Sequence, residues 1–201
     1  MTRQTRIARQ SRDARPIVAE GVVYDLSRTA LGWTAVAATT RGLCALLFGD
    51  TREEARTRLL HEFPAARAAT SQHPLHPLLA AGLAHLGAEN RRAPRLRLDL
   101  RGTTFQIAVW RSLQKIPRGR TASYREVAEQ LGSPRAARAV AAACAANRLA
   151  ILVPCHRVVR GDGSLSGYRW GVARKRALLE AESASAASAR LKRAGSSRKA
   201  E

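Results

Sequence analysis

Three short apolar runs open the folded part of the chain. Residues 21–26 (Gly-Val-Val-Tyr-Asp-Leu), 31–39 and 42–48 are rich in Val, Leu, Thr and Trp and are broken by Gly32, Gly42 and Gly49. That texture predicts strands, and their close spacing predicts an antiparallel meander. Asp50 or Thr51 then caps a helix to about Phe63, with Glu53 and Glu54 in its first turn, where acids complement the exposed N–H groups. Residues 75–87 pattern as a second helix and residues 96–101 as a further strand. No internal repeat is present.

The pattern changes near Gly102. Residues 104–116 place Phe105, Ala108, Val109, Leu113 and Ile116 at helical spacing, and Pro117 and Gly119 end that element. Ser123 caps a short helix, Tyr124 to Leu131, with Glu126 as its capping-box partner and Gly132 as its stop. Ser133-Pro134 starts another helix, cap followed by proline, running to about Asn147. Helix, tight Gly turn, helix is the helix-turn-helix pattern, although many helical hairpins share it. The second of these helices is almost without bulk, since eight alanines lie between Ala136 and Ala146. Val140, Cys144 and Asn147 form one stripe, a core face ending in an amide. Arg138, Ala141, Ala142 and Ala145 form another, a smooth surface carrying one large cation. Such a face suits close approach to a groove wall or to another helix equally well.

Charge is the unusual feature of the composition. Among 201 residues, 35 Lys+Arg oppose 15 Asp+Glu, a net +20. Residues 1–15 and 183–201 contribute +4 each, so the body between them carries +12 without its tails. An anionic partner is expected, most simply nucleic acid. No apolar run is long enough to span a membrane. Three cysteines, Cys44, Cys144 and Cys155, argue against a disulfide framework and for a reducing compartment. No Cys/His set has structural-zinc spacing, and His73 and His76 sit in a Pro-containing loop read as surface.

Candidate chemistry lies after Asn147. Leu149 to Val153 is a short apolar run, ended by Pro154 and followed by Cys155-His156-Arg157. A thiol at the end of a buried segment beside an imidazole is a candidate nucleophile; an inert core cysteine is the other reading. Adjacent Cys and His do not make the protease dyad, and the spacing from Cys155 to Arg160 misses the phosphatase loop by one residue. In the helix Ala173 to Glu182, Leu178, Leu179 and Glu182 share a face, whereas Glu180 points away. A carboxylate on an apolar face needs a partner, and His156 is the natural one; a frayed helix end in water is the alternative.

Residues 101–182 resemble the O6-alkylguanine-DNA alkyltransferases, the DNA-protein cysteine methyltransferases, with the repair half of the bacterial adaptive-response methyltransferases as the nearest likeness. The matching runs are Gly102-Thr103, Phe105-Gln106, Val109-Trp110, Ile116-Pro117, Ser123-Tyr124, Arg138-Ala139-Val140, Ala145-Ala146-Asn147, Pro154 to Val159 and Gly167-Tyr168-Arg169-Trp170-Gly171. The likeness continues more weakly through residues 21–100, including Gly42-Leu43-Cys44 and Phe48-Gly49-Asp50. The additional zinc-cysteine and transcription-activating modules of the adaptive-response proteins have no counterpart here. Two departures are Ala141 and Ala142 where many relatives have glycine, and Arg148 where many have proline.

The resemblance implies an α+β fold. A small antiparallel-sheet, ribonuclease-H-like subdomain (residues 19–101) would precede a helical subdomain with a helix-turn-helix (residues 102–183); the basic tails at 1–18 and 184–201 lie outside the resemblance and are expected from their composition to be disordered. It implies irreversible transfer of an alkyl group from O6-alkylguanine, and from O4-alkylthymine, to Cys155, with the base flipped through the minor groove. His156 would act as base through a water, Glu182 would hold its other nitrogen, and Asn147 would brace the turn. Arg138 would fill the vacated stack. Tyr124, Tyr168, Arg135 and the backbone at Val158 and Arg169 would bind substrate. No metal or organic cofactor is implied. Double-stranded DNA with alkylated bases is the implied partner of a monomeric protein, with no membrane, in a bacterial cytoplasm at the nucleoid. Two other classes remain: a binding-only relative, which would lack the cysteine, and a sequence-specific regulator, which would need base-reading polar side chains.

Overall fold

The structure, a computed structural model, describes residues 21–87 and 96–197. The basic tail expected at 1–18 lies outside the described residues. Strands β1 (Val23–Thr29), β2 (Gly32–Thr39) and β3 (Gly42–Gly49) form the expected antiparallel meander, each joined to the next by a two-residue turn. A two-residue strand, β4 (Arg67–Ala68), adds to β1 in parallel, giving the order β3-β2-β1-β4. Both of its residues are exposed, so no apolar signal announced it. Helix α1 (Arg52–Glu62) is capped by Thr51, whose side chain accepts from the Glu54 N–H. α1 and α2 (His76–Gly87) cover the sheet and bury Leu59, Phe63 and Leu79.

Every residue of β3 is buried, and its outer edge is occupied by two later segments. The Leu43 N–H donates to the Arg97 carbonyl and the Asp99 N–H to the Leu43 carbonyl, both at 2.8 Å. Further along, the Leu46 N–H donates to Arg148 O (2.8 Å) and the Ala150 N–H to Leu46 O (3.0 Å). The strand expected at 96–101 is therefore only a single bridge at Leu98. It leaves the edge at Asp99, whose carboxylate collects Thr39, Arg41 and Arg101. Gly42 has φ +148°, and a Cβ there would lie 2.5 Å from Arg97 O, so only glycine admits this close approach.

The C-terminal half is helical. α3 (Thr104–Leu113) starts with a Thr103–Gln106 capping box, and α4 (Tyr124–Gln130) with the expected Ser123–Glu126 box. Gly132, at φ +67°, turns the chain. The helix expected over 134–147 is shorter and begins differently. Pro134–Ala136 is a 3-10 turn and α5 spans Ala137–Ala145. Ser133 makes no side-chain cap, because its backbone (φ −134°, ψ 65°) aims the hydroxyl elsewhere; its carbonyl accepts from the Ala136 N–H instead. The expected core stripe is observed, with Val140, Cys144 and Asn147 buried; of the expected outer stripe, Arg138, Ala142 and Ala145 are exposed and Ala141 is half-buried. The Trp110 indole donates to Ala143 O at 2.9 Å and ties α3 to α5.

A parallel pair, β5 (Ala122–Ser123) and β6 (Val158–Val159), sets the start of α4 beside the Cys155 segment. The last helix, α6 (Val172–Ser197), corrects the disordered tail expected from residue 184. Residues 183–194 hold only Ser, Ala, Arg, Leu, Lys with no proline or glycine, so a helix docked up to Glu182 continues at little cost. No helix among the described residues is long and apolar enough to cross a membrane.

Candidate active site

Cys155 opens a 3-10 turn, Cys155–Arg157, directly after the segment that docks on β3. The approach to it is tight. Ile151 has φ +65°, a conformation a β-branched residue avoids, inside the turn closed by the Val153 N–H donating to Leu149 O (2.8 Å). Asn147 straps this turn together. Its amide nitrogen donates to Val153 O (2.9 Å), Leu149 O (3.4 Å) and the Cys155 thiol sulfur (3.2 Å), while its oxygen accepts from the Leu149 N–H (2.9 Å). The brace expected of Asn147 is thus present as geometry, and its donor also reaches Sγ.

His156 is fully buried, and its Nε2 lies 3.1 Å from Glu182 Oε1. Glu182 is buried on the inner face of α6, as its helical phase required, so the frayed-end alternative is not what the chain adopts. It also accepts from Arg157, through Nη2 (2.7 Å) and Nε (3.0 Å), and from the Gly119 N–H (3.2 Å). Burial pushes this carboxyl up, but hydrogen bonds from His156 and Arg157 and their charges outweigh it and bring it down to about 2. An ionised carboxylate only accepts, so His156 Nε2 carries the proton and Nδ1 is a bare acceptor. That Nδ1 is buried and bonds to no protein group. Burial lowers the His156 pKa against the pull of Glu182, which keeps the imidazole neutral at pH 7. Burial raises the Cys155 thiol to about 11, partly offset by Asn147 and the Lys175 charge. The resting pair is therefore thiol and neutral imidazole.

A second hydrogen-bonded chain runs beside the first. Lys175, fully buried, donates to Val158 O (2.5 Å) and Ser166 Oγ (3.0 Å), and the Tyr124 hydroxyl lies 2.6 Å from Ser166 Oγ. Tyr168 stacks edge-on against Trp170 with centroids 5.0 Å apart, and Trp170 in turn against Phe48. The Tyr168 hydroxyl is buried and bonds to no protein group. Burial raises both phenols, so each is a proton donor at neutral pH.

The structure thus joins Cys155, His156, Glu182 and Asn147 in one cluster and places Val158, Tyr124 and Tyr168 around it. Arg169 turns its side chain away, to Glu62 and to Ala145 O. Arg135 and Arg138 lie exposed on the preceding helical hairpin, outside the bonded cluster. Sequence reasoning missed Arg157, Lys175 and Ser166. Lys175 was within reach: it stands seven residues before Glu182, on the same helical face. Cys44 and Cys144 are buried and raised by burial, Cys44 to about 12, as inert thiols are. Among the described residues, no group of three or more His, Cys, Asp and Glu is placed to hold a metal ion.

A thiol, a neutral imidazole with one open nitrogen and a carboxylate on the other define a protein built around a cysteine nucleophile. Residues 104–184 match the family model of the 6-O-methylguanine DNA methyltransferase DNA-binding domain. The probable methylated-DNA–protein-cysteine methyltransferase of Acanthamoeba polyphaga mimivirus is 35% identical over 144 residues, 72% of this chain and 92% of its own length. The bifunctional transcriptional activator and DNA repair enzyme Ada of Escherichia coli is 49% identical over 161 residues, covering 80% of this chain and 45% of Ada. The Mycobacterium tuberculosis methyltransferase OGT in complex with DNA superposes with a TM-score of 0.67 at 36% identity, over 81% of this chain and 94% of that one. The chain belongs to the methylated-DNA–protein-cysteine methyltransferase family. It spans about half the length of several curated relatives, 45% of Ada and 53% of the Mycobacterium bovis methyltransferase.

Proposed function

We propose that this protein repairs alkylated double-stranded DNA by moving the alkyl group from O6 of guanine onto Cys155, once per molecule. The observation that carries the reading is a buried thiol next in sequence to a buried neutral imidazole, whose Nε2 is held by Glu182 and whose Nδ1 bonds to no protein group. A water between His156 Nδ1 and the thiol takes the proton of Cys155 to His156, and Glu182 stabilises the imidazolium. The thiolate attacks the alkyl carbon, an S–C bond forms and the C–O6 bond breaks, leaving its electron pair on guanine. A phenol, Tyr168 or Tyr124, hydrogen-bonds the departing base where that charge develops. A thioether is not readily reversed, so the protein is consumed.

The target oxygen is stacked inside the duplex, so the base must be flipped out to reach a buried thiol. We read α4, the Gly132 turn and α5 as a helix-turn-helix that enters the minor groove with the smooth face of Ala142 and Ala145, Arg138 filling the gap left in the stack. Arg135 contacts the backbone nearby. Residues 19–101 form the ribonuclease-H-like subdomain and residues 102–183 the DNA-binding one. O4-alkylthymine is a second substrate, the working form is a monomer, and the site of action is the nucleoid of a bacterial cytoplasm. The presence of Cys155 disfavours the binding-only reading, and the alanines of α5 disfavour sequence-specific regulation.

The test is direct. Incubate the protein with duplex DNA carrying O6-methylguanine labelled in the methyl group and digest it. One label per molecule on the Cys155 peptide is expected by mass spectrometry; no label at equimolar protein refutes the reading.

A further inference from the structure

Glu62 lies outside the reactive cluster, at the end of α1, yet it takes hydrogen bonds from two arginines of the C-terminal half. Arg148 Nε donates to its Oε2 and Arg169 Nη2 to its Oε1. The partners stand 86 and 107 residues away in sequence. All three side chains are mostly buried, exposed by 12% for Glu62, 21% for Arg148 and 28% for Arg169. Hydrogen bonds and charge from the two arginines outweigh burial and keep the carboxyl below its ordinary range.

The two arginines belong to different walls of the site. Arg148 follows Asn147, the residue that straps the Cys155 turn and donates to its sulfur. Arg148 is fixed further by donating to Arg101 O (3.2 Å), and its own carbonyl accepts from Leu46 on β3. Arg169 follows Tyr168, whose buried hydroxyl faces no protein partner. Arg169 also donates to Ala145 O, at the end of α5. A cleft of about 430 Å³ runs beside this contact, lined by Thr57, His61 and Trp170 among others. Glu62 and Arg169 themselves line this cleft, so the clamp borders open space on one side.

We propose that Glu62 is a positioning residue for alkyl transfer, holding the Asn147–Cys155 wall and the Tyr168 wall at a fixed separation through Arg148 and Arg169. One carboxylate with two cations on two segments sets their distance in a way apolar packing across a cleft cannot. Transfer needs the alkyl carbon within attack distance of sulfur while a phenol meets the base, so a small change in that separation lowers the rate steeply. The inference rests on the alkyl-transfer reading above.

The experiment separates DNA binding from the chemical step. Wild type, Glu62→Gln and Arg169→Gln are each mixed in excess with O6-methylguanine duplex, and the first-order rate at saturation is measured beside the Kd for undamaged duplex. Glu62→Gln is expected to slow transfer by about tenfold or more. It should leave DNA affinity unchanged or tighter, because it frees two cations beside α5. Arg169→Gln, which breaks half the clamp, should slow transfer less. Thermal unfolding establishes that both variants are folded. Unchanged first-order rates in folded variants overturn the proposal. So does a parallel fall of rate, affinity and folded fraction, which is the mark of a merely structural contact. A wild type that transfers nothing is a different result and defeats the alkyl-transfer reading itself.

Discussion

At the scale of single residues, Glu182 ties the proposed chemistry of the site to its acid stability. Its carboxyl is lowered to about 2 by His156 and Arg157. A group whose pKa is depressed on folding stabilises the native state above its unfolded value, near 4.5, and that contribution is lost as pH falls toward 2. Glu182→Gln removes it and leaves the Arg157 guanidinium, 14% exposed, without its anion. A loss of about 3 kcal/mol in urea unfolding at pH 7 is expected. The rate of transfer carries a second signature. In the proposed mechanism neutral His156 is the base, so the wild-type rate is expected to fall as pH drops below the imidazole pKa, which burial places under 6.5. Glu182 raises that pKa against burial, so Glu182→Gln should move the acid limb of the profile to still lower pH while cutting the plateau. An acid limb that stays in place, or moves up, would show that His156 is not the titrating base.

The same residues measure how far the sequence was legible. Glu182 and its partner followed from helical phase alone, because a carboxylate on an apolar face has few ways to be satisfied. Lys175 obeys the same phase but gives no such signal, since lysine usually reaches water by its long stem; here one carbonyl and one hydroxyl oxygen hold it inside. Arg157 sits next to His156 yet its target lies 25 residues on. Glu62 stands at i+3 from buried Leu59 and i+7 from buried Ala55, so helical phase puts it on the inner face of α1; its partners at 148 and 169 have no such local signal and come alongside only through the fold.

At the scale of elements, the helical hairpin follows its sequence pattern at the first cap and along the core face, and departs from it at the second cap, where a 3-10 turn precedes α5. Ser123 and Glu126 form the box that their spacing announced. Ser133, an equally good cap by composition, does not cap, because the backbone of the tight turn decides where the hydroxyl points. The smooth outer face of α5 follows from its alanines, and with it a specific expectation for Arg138. Arg138→Ala should slow repair of duplex O6-methylguanine by about a hundredfold, a stack left unfilled costing a few kcal/mol. Reaction with free O6-benzylguanine, which has no stack to fill, should change less than twofold. Equal losses on both substrates would place Arg138 in the structure of the site and not in base extrusion.

At the scale of the molecule, the meander was legible because glycines punctuate it, whereas β4 and the Leu98 bridge were not, being pairings imposed by neighbours on segments with weak patterns of their own. The charge was legible from the start, and it makes a prediction that the fold alone does not. A net +20 spread over body and tails attracts any duplex, damaged or not. Residues 189–201 hold Arg190, Lys192, Arg193, Arg198 and Lys199 against a single acid, Glu201. They follow Glu182 on the same chain, so their removal leaves the reactive cluster intact while subtracting cations. A chain ending at Ser188 should therefore bind undamaged duplex more weakly at low salt, and the slope of log K against log salt should shrink by about 0.9 for each phosphate no longer neutralised. Its transfer rate on saturated O6-methylguanine duplex should match the full chain, because the proposed mechanism sets the chemistry by Cys155, His156 and Glu182 and not by the attraction that delivers them. An unchanged salt slope would assign the non-specific affinity to the +16 that remains, the body's +12 and the +4 of residues 1–15, and would leave the last turns of α6 without a part in DNA binding.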